Sequence, residues 1–117
     1  MQVNGITNLQ ELISSMKPKL NAGEFVFITL ADATYGDASH LAPIASFIER
    51  EGLTLIIPKE RADAETVHYD EIFRMITLQV HSSLCAIGLT AAVSRQLTTK
   101  EISANIVAAY FHDHIFI

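Results

Sequence analysis

His112 and His114 flank Asp113 near the end of the 117-residue sequence, and this is the spacing that most directly suggests chemistry. On an extended strand side chains alternate, so both imidazoles share one face and the carboxylate takes the other. With His81 as a third ligand the set would approximate a catalytic zinc site, but no glutamate base stands at a readable spacing. Paired histidines more commonly make hydrogen bonds or line an interface, so no metal or other cofactor is expected. Ser82 and Ser83 lie where a strand pattern gives way to a helical one. A hydroxyl there can cap free backbone amides, or the same amides can hold a ligand carboxylate. Gly88 has no Cβ, which permits close approach of a ligand or simply tight helix packing. Asn105 offers donors and an acceptor suited to both ends of an amino acid, and can equally bond a neighbouring backbone group.

Other reactive residue types carry less. Asp32, Tyr35 and Asp37 share one loop, which can receive an ammonium group or be a solvated turn. The single cysteine, Cys85, cannot form an internal disulfide or hold a structural zinc alone, which fits a reducing, cytoplasmic setting. It reads as a small buried helix residue. No serine or cysteine occupies a nucleophile elbow, and no two carboxylates have diagnostic spacing. Catalysis therefore has no positive signal.

The elements that must position these residues follow from apolar periodicity. Asn8 and Glu11 read as an N-cap and its reciprocal partner before the stripe Leu9, Leu12, Ile13 and Met16, with Pro18 ending the helix. Glu24 to Ala31 reads as a buried strand after the turn Asn21-Ala22-Gly23. Ser39 is placed to cap a second helix running through Leu41, Ile44, Ala45 and Ile48 to a stop at Gly52. Leu53 to Ile57 is the next strand, closed by Pro58. Lys59 to Asp70 is charged and aperiodic and reads as a connection. The pattern then resumes with a strand over Met75 to His81, a helix from about Leu84 to Thr98, and strands over Ser103 to Tyr110 and His112 to Ile117. Strand, helix, strand thus occurs twice, from Phe25 to Ile57 and from Met75 to Tyr110, with slight sequence identity between the two. The expected partition is residues 1–60 as one half, 61–70 as the connection and 71–117 as the other half.

Half of the residues are hydrophobic and under a fifth are charged, which suits a compact fold rather than disorder. The formal net charge is -5 and the eight Lys and Arg are scattered, so nucleic acid is not an expected partner. No apolar run is long enough to span a bilayer as a helix, and Met1 to Gly5 lacks the features of a signal peptide, so no membrane is expected. The alternation of elements fits an α+β split βαβ sheet better than a doubly wound sheet, which needs more βα units and a glycine-rich phosphate turn.

The run Ile76 to Leu84, with Ala86 to Ser94, Ile102 to Ile106 and His112 to Phe116, resembles a small group of bacterial ACT-domain proteins. Phe25-Val26-Phe27 and Glu49 to Leu55 are similar to the same group, and the second half is the more specific part. The resemblance implies two ACT-like, ferredoxin-like halves with mainly antiparallel sheet and helices on one face. It further implies a regulatory or sensor protein without catalysis of its own, binding a small molecule such as an amino acid between ACT-like halves or subunits, and a homodimer. By the same resemblance the ligand turn maps to His81, Ser82, Ser83, Leu84 and Gly88, with Asn105 opposite. Cys85 departs from the group, which tends to have an acidic residue there. A full ACT unit continues into a second helix and a fourth strand, so either a tail is absent or the first half completes the sheet. The alternatives are an accessory module of a larger enzyme or transport system, and a metal-dependent enzyme using His81, His112 and His114.

Overall fold

A computed structural model describes residues 17–79 and 94–117. It is an α+β structure with two antiparallel sheets. The chain forms two compact units, one spanning Ala22–Arg74 and the other made from the segments on either side of it.

The Ala22–Arg74 unit begins with β2 (Phe25–Leu30), which follows β1 (Pro18–Leu20) of the other unit. After a loop and one 3-10 turn (Ser39–Leu41) come β3 (Ala45–Glu49), β4 (Gly52–Pro58) and helix α1 (Lys59–Ala64). The strand order is β2-β4-β3, and Phe73 adds a bridge to Phe25 on the outer side of β2. Taking strands in chain order within the unit, the arrangement is 4-1-3-2, the order of a split βαβ sheet. Alternation along the strands puts Val26, Ile28, Leu53, Leu55 and Ile57 on one face, where Leu41 of the 3-10 turn and Ala62 of α1 pack against them. Both helical segments therefore cover the same face. Arg61 Nη1 donates to the His40 carbonyl at 2.8 Å and ties the two together.

The expected second helix from Ser39 to Ile48 is not formed. Ala42 adopts a left-handed conformation (φ 53°) immediately before Pro43, a position where the α region is sterically disfavoured. The Ile44 amide then donates to the Ile56 carbonyl, and Phe47 and Ile48 extend as a strand that their side chains favour. The charged segment after Pro58 likewise differs from a plain connection. Lys59–Ala64 is helical, with Lys59 and Asp63 four residues apart and bonded at 2.8 Å. A two-residue turn, Arg50-Glu51, joins β3 to β4, and it ends at Gly52 with φ 156°. A Cβ there would stand 3.0 Å from the Leu30 carbonyl oxygen and 2.8 Å from Thr29 Oγ1.

The other unit has strand order β1-β5-β7-β6, with β5 (Met75–Leu78), β6 (Asn105–Ala108) and β7 (Asp113–Phe116). Pro18 is the first residue of β1, paired with Leu78, where the sequence pattern set it as a helix stop. Numbered from β5, the order is again 4-1-3-2, the fourth place being filled by β1 from before the inserted unit. The first part of the chain thus supplies the strand that the second part lacks. Leu20, Ile76, Ile115 and Ile106 form one cross-sheet row, and Leu97, in the helical residues 94–99, packs against Leu78 and Ile115 on that face. The partition expected at 61–70 does not coincide with these units, whose boundaries fall after Asn21 and after Arg74. The expected helix Asn8 to Met16 and the start of the Leu84 to Thr98 helix lie outside the described residues.

Candidate functional site

Among the described residues, a cavity in one unit and a polar cluster in the other bear on chemistry. The first is in the Ala22–Arg74 unit. A split βαβ unit ordinarily carries a full helix between its first two strands, but here the crossover from Leu30 to Ala45 contains only three helical residues. The shortened crossover leaves a cavity of about 440 Å³ against the sheet, lined among others by Tyr35, Ser39, Pro43, Ser46, Leu53 and Leu55. Leu53 and Leu55 are almost fully buried, whereas Tyr35 is 77% exposed. The Asp37 carboxylate turns back to the loop, accepting from the Thr34 amide at 2.8 Å and its hydroxyl at 3.2 Å. The acidic loop read from the sequence is therefore partly a self-closed turn.

The second place is the opposite face of the β1-β5-β7-β6 sheet. Asn21 Nδ2 donates to the Met75 carbonyl at 3.1 Å and to Thr77 Oγ1 at 2.8 Å. Thr77 Oγ1 lies 2.9 Å from His114 Nδ1. With Asn21 as donor, the Thr77 hydroxyl hydrogen is free to point at Nδ1, which fits a neutral imidazole. Burial lowers the His114 pKa from its ordinary value and nearby His112 adds to the effect, while Asp113 opposes it. His112 is half-buried, and its Nδ1 has no hydrogen-bond partner among the described residues. Those residues contain no group of three His, Cys, Asp or Glu placed to hold a metal. His81, the third member of the metal reading, is outside them.

Of the ligand-turn residues, His81, Ser82, Ser83, Leu84 and Gly88 all lie outside the described residues, as does Cys85. Asn105 is exposed at the start of edge strand β6, level with Phe116 and, through it, with Met75. The chain leaves β5 at its other end, beyond Leu78, which is level with Asp113 and Ala108. Three residues of strand, about 10 Å, separate these two levels. At the Leu78 end stand Asp113 and the β6–β7 turn, in which the Ala109 amide donates to the His112 carbonyl. Asn21 and Thr77 carry no signal of this role in the sequence. Their partners are 54 and 56 positions apart, and no local pattern marks such a pairing. Ser46 was hidden by the helix expected over its segment.

No helix among the described residues is long and apolar enough to cross a membrane. No curated protein matches the chain. A crystal structure of a Vibrio cholerae protein of unknown function, described as a possible transport protein, is similar with a TM-score of 0.81 and 47% identity. The similarity covers 94% of this chain and 84% of that one. A model of the ACT domain matches residues 4–74, more than half of the chain, and takes in β1 and the whole Ala22–Arg74 unit. The residues on which the sequence resemblance rested most, from Ile76 onward, fall beyond that match. The matched length and the two sheets of ferredoxin-like order agree: the chain belongs to the ACT domain family.

Proposed function

We propose that this protein is a regulatory module that binds a small molecule, an amino acid in the first instance, and performs no catalysis of its own. The observation that carries the reading is the repeated 4-1-3-2 sheet order in a chain matched by the ACT domain, a domain associated with small-molecule regulation. The ligand carboxylate is assigned to residues that follow β5 in the chain, the backbone amides of Ser82, Ser83, Leu84 and Gly88, together with His81. Asn105 stands at the other end of that sheet, on an edge strand, and so is assigned to a site completed by a neighbouring copy. Such a site couples binding to dimerisation, because a ligand shifts only the equilibria whose states it binds differently.

The test is calorimetry and thermal unfolding of the intact protein against each common amino acid, with sedimentation run in parallel. An amino acid that raises the unfolding temperature and shifts the sedimentation toward a dimer supports the reading. Absence of stabilisation across the whole panel would sink it. A second reading, an accessory module of a transport system in the cytoplasm, draws on the similarity to the Vibrio cholerae protein, a possible transport protein, and on the exposed Phe47 and Ile48 of edge strand β3. A stoichiometric partner retained from lysate without added ligand favours it.

A further inference from the structure

We propose that the cavity beneath the Ala31–Ile44 crossover is a separate binding site for a small uncharged molecule with an apolar body and a single hydroxyl or carbonyl group. The volume, about 440 Å³, falls within the ~300–1,000 Å³ of small-molecule sites. Its chemistry is set by what lines it. Leu53, Leu55 and Pro43 supply the apolar part, while Tyr35, Ser39 and Ser46 supply three hydroxyls, and no lining side chain is charged at neutral pH. The cavity is open on one side, and its lining offers no ionic partner to the ammonium or the carboxylate of a free amino acid, which favours an uncharged occupant. Of the polar groups that flank the site along the chain, Asp37 is bonded to Thr34, and His40 Nε2 lies 3.7 Å from Glu65.

Ser46 points to the same conclusion independently. By register it faces the same side of the sheet as Leu55 and Leu53, and it is the polar member of a face otherwise made of Val26, Ile28, Leu30, Ile48, Leu53, Leu55 and Ile57. A hydroxyl there orients a ligand whose body rests on leucine. Tyr35, an exposed residue, supplies an aromatic surface that an occupant can cover. The site goes beyond the amino-acid reading, since it differs in both location and ligand charge.

The experiment is a titration of the intact, isotope-labelled protein with two uncharged probes, indole and 1-hexanol, and with zwitterionic leucine as the control, followed by amide shifts in solution NMR. The expected result is saturable shifts with both uncharged probes at Ser39, Ser46, Leu53 and Leu55, and none at these amides with leucine. Ser46→Phe, which fills the cavity from an edge strand, should weaken probe binding at least tenfold. Tyr35→Ala, at an exposed loop position, should weaken it severalfold and decides the matter if the first variant does not fold. Shifts confined to the exposed Tyr110-Phe111 turn, or undiminished binding by the variants that fold, would overturn the proposal. Failure of every amino acid to stabilise the protein would leave these readings intact, so the two hypotheses fail separately.

Discussion

The two units have the same strand order but are written into the chain in different ways. In Ala22–Arg74 the strands, 3-10 turn and helix follow one another, and the core draws on β2, β4, the crossover and α1 alike. In the other unit, β5, β6 and β7 are flanked by β1, which precedes the entire inserted unit. Sheet order is therefore a property of side-chain pattern and edge pairing, and the position of the chain break is secondary to it. Among the described residues, the contiguous unit gathers most of its buried apolar side chains in one cluster that includes Ile57, whereas the split unit has a smaller cluster around Leu78 and Ile115 and completes its sheet with a three-residue strand held in part by polar bonds from Asn21.

Mutations can break that contrast at known points. The largest effect is expected from Ile57→Ala in the contiguous core, where the side chain is fully buried; a loss of about 2–5 kcal/mol should appear as a lower denaturant midpoint. Gly52→Ala should cost about 1–3 kcal/mol, because the added Cβ meets the Leu30 carbonyl and the backbone is already in an unfavourable region. Asn21→Ala removes two side-chain bonds that hold β1 to β5 and should cost roughly 1–2 kcal/mol. Hydrogen exchange sharpens that test. Amides of β1 and β5 should lose protection while those of β2 and β4 keep theirs, and uniform loss across both units would contradict the division drawn here.

The smallest effect is a dependence on pH. Burial holds the His114 pKa below its ordinary 6.5, so above that pH the imidazole is neutral whether the chain is folded or not. As pH falls through 6.5 the unfolded chain takes up the proton first, and stability declines until the folded imidazole is protonated as well. Unfolding followed between pH 7.5 and 5 should show this decline, and His114→Gln should flatten it. An unchanged slope in that variant would place the titration elsewhere.

How much of this was legible in the sequence follows from range. β2 and β4 were visible because each is a short, continuous apolar run bounded by turn residues. β5 and β7 were visible for similar reasons, although β5 ends at Leu78. The segment holding β3 misled because Leu41, Ile44, Ala45 and Ile48 repeat with helical spacing. The decisive residue was Pro43, which constrains Ala42 before it, and tolerance of proline in a first helical turn had suggested the opposite. β1 was hidden because three exposed residues carry no pattern of their own, and their strand character comes from β5. For the candidate site, the acidic loop was located correctly, but the space beneath it follows from a helix that fails to form. Asn105 was readable as a polar strand residue, and its level in the sheet was not, since register depends on pairing between distant strands.

The position of β1 also bears on how the protein is made. Pro18–Leu20 leaves the ribosome well before Met75–Leu78, the strand it must join, has been synthesised. Closing that distance in a disordered chain would carry the entropy of a long loop. The intervening unit can fold first, since its sheet and its core are built from its own residues, and its ends are drawn together when Phe25 and Phe73 exchange backbone bonds of 2.8 Å. A long-range pairing then becomes a nearly local one between Asn21 and Met75, bonded at 2.9 Å. The inserted unit acts in this way as a template for the sheet whose segments flank it in the chain, and a lesion such as Ile57→Ala should delay completion of a sheet in which Ile57 takes no part.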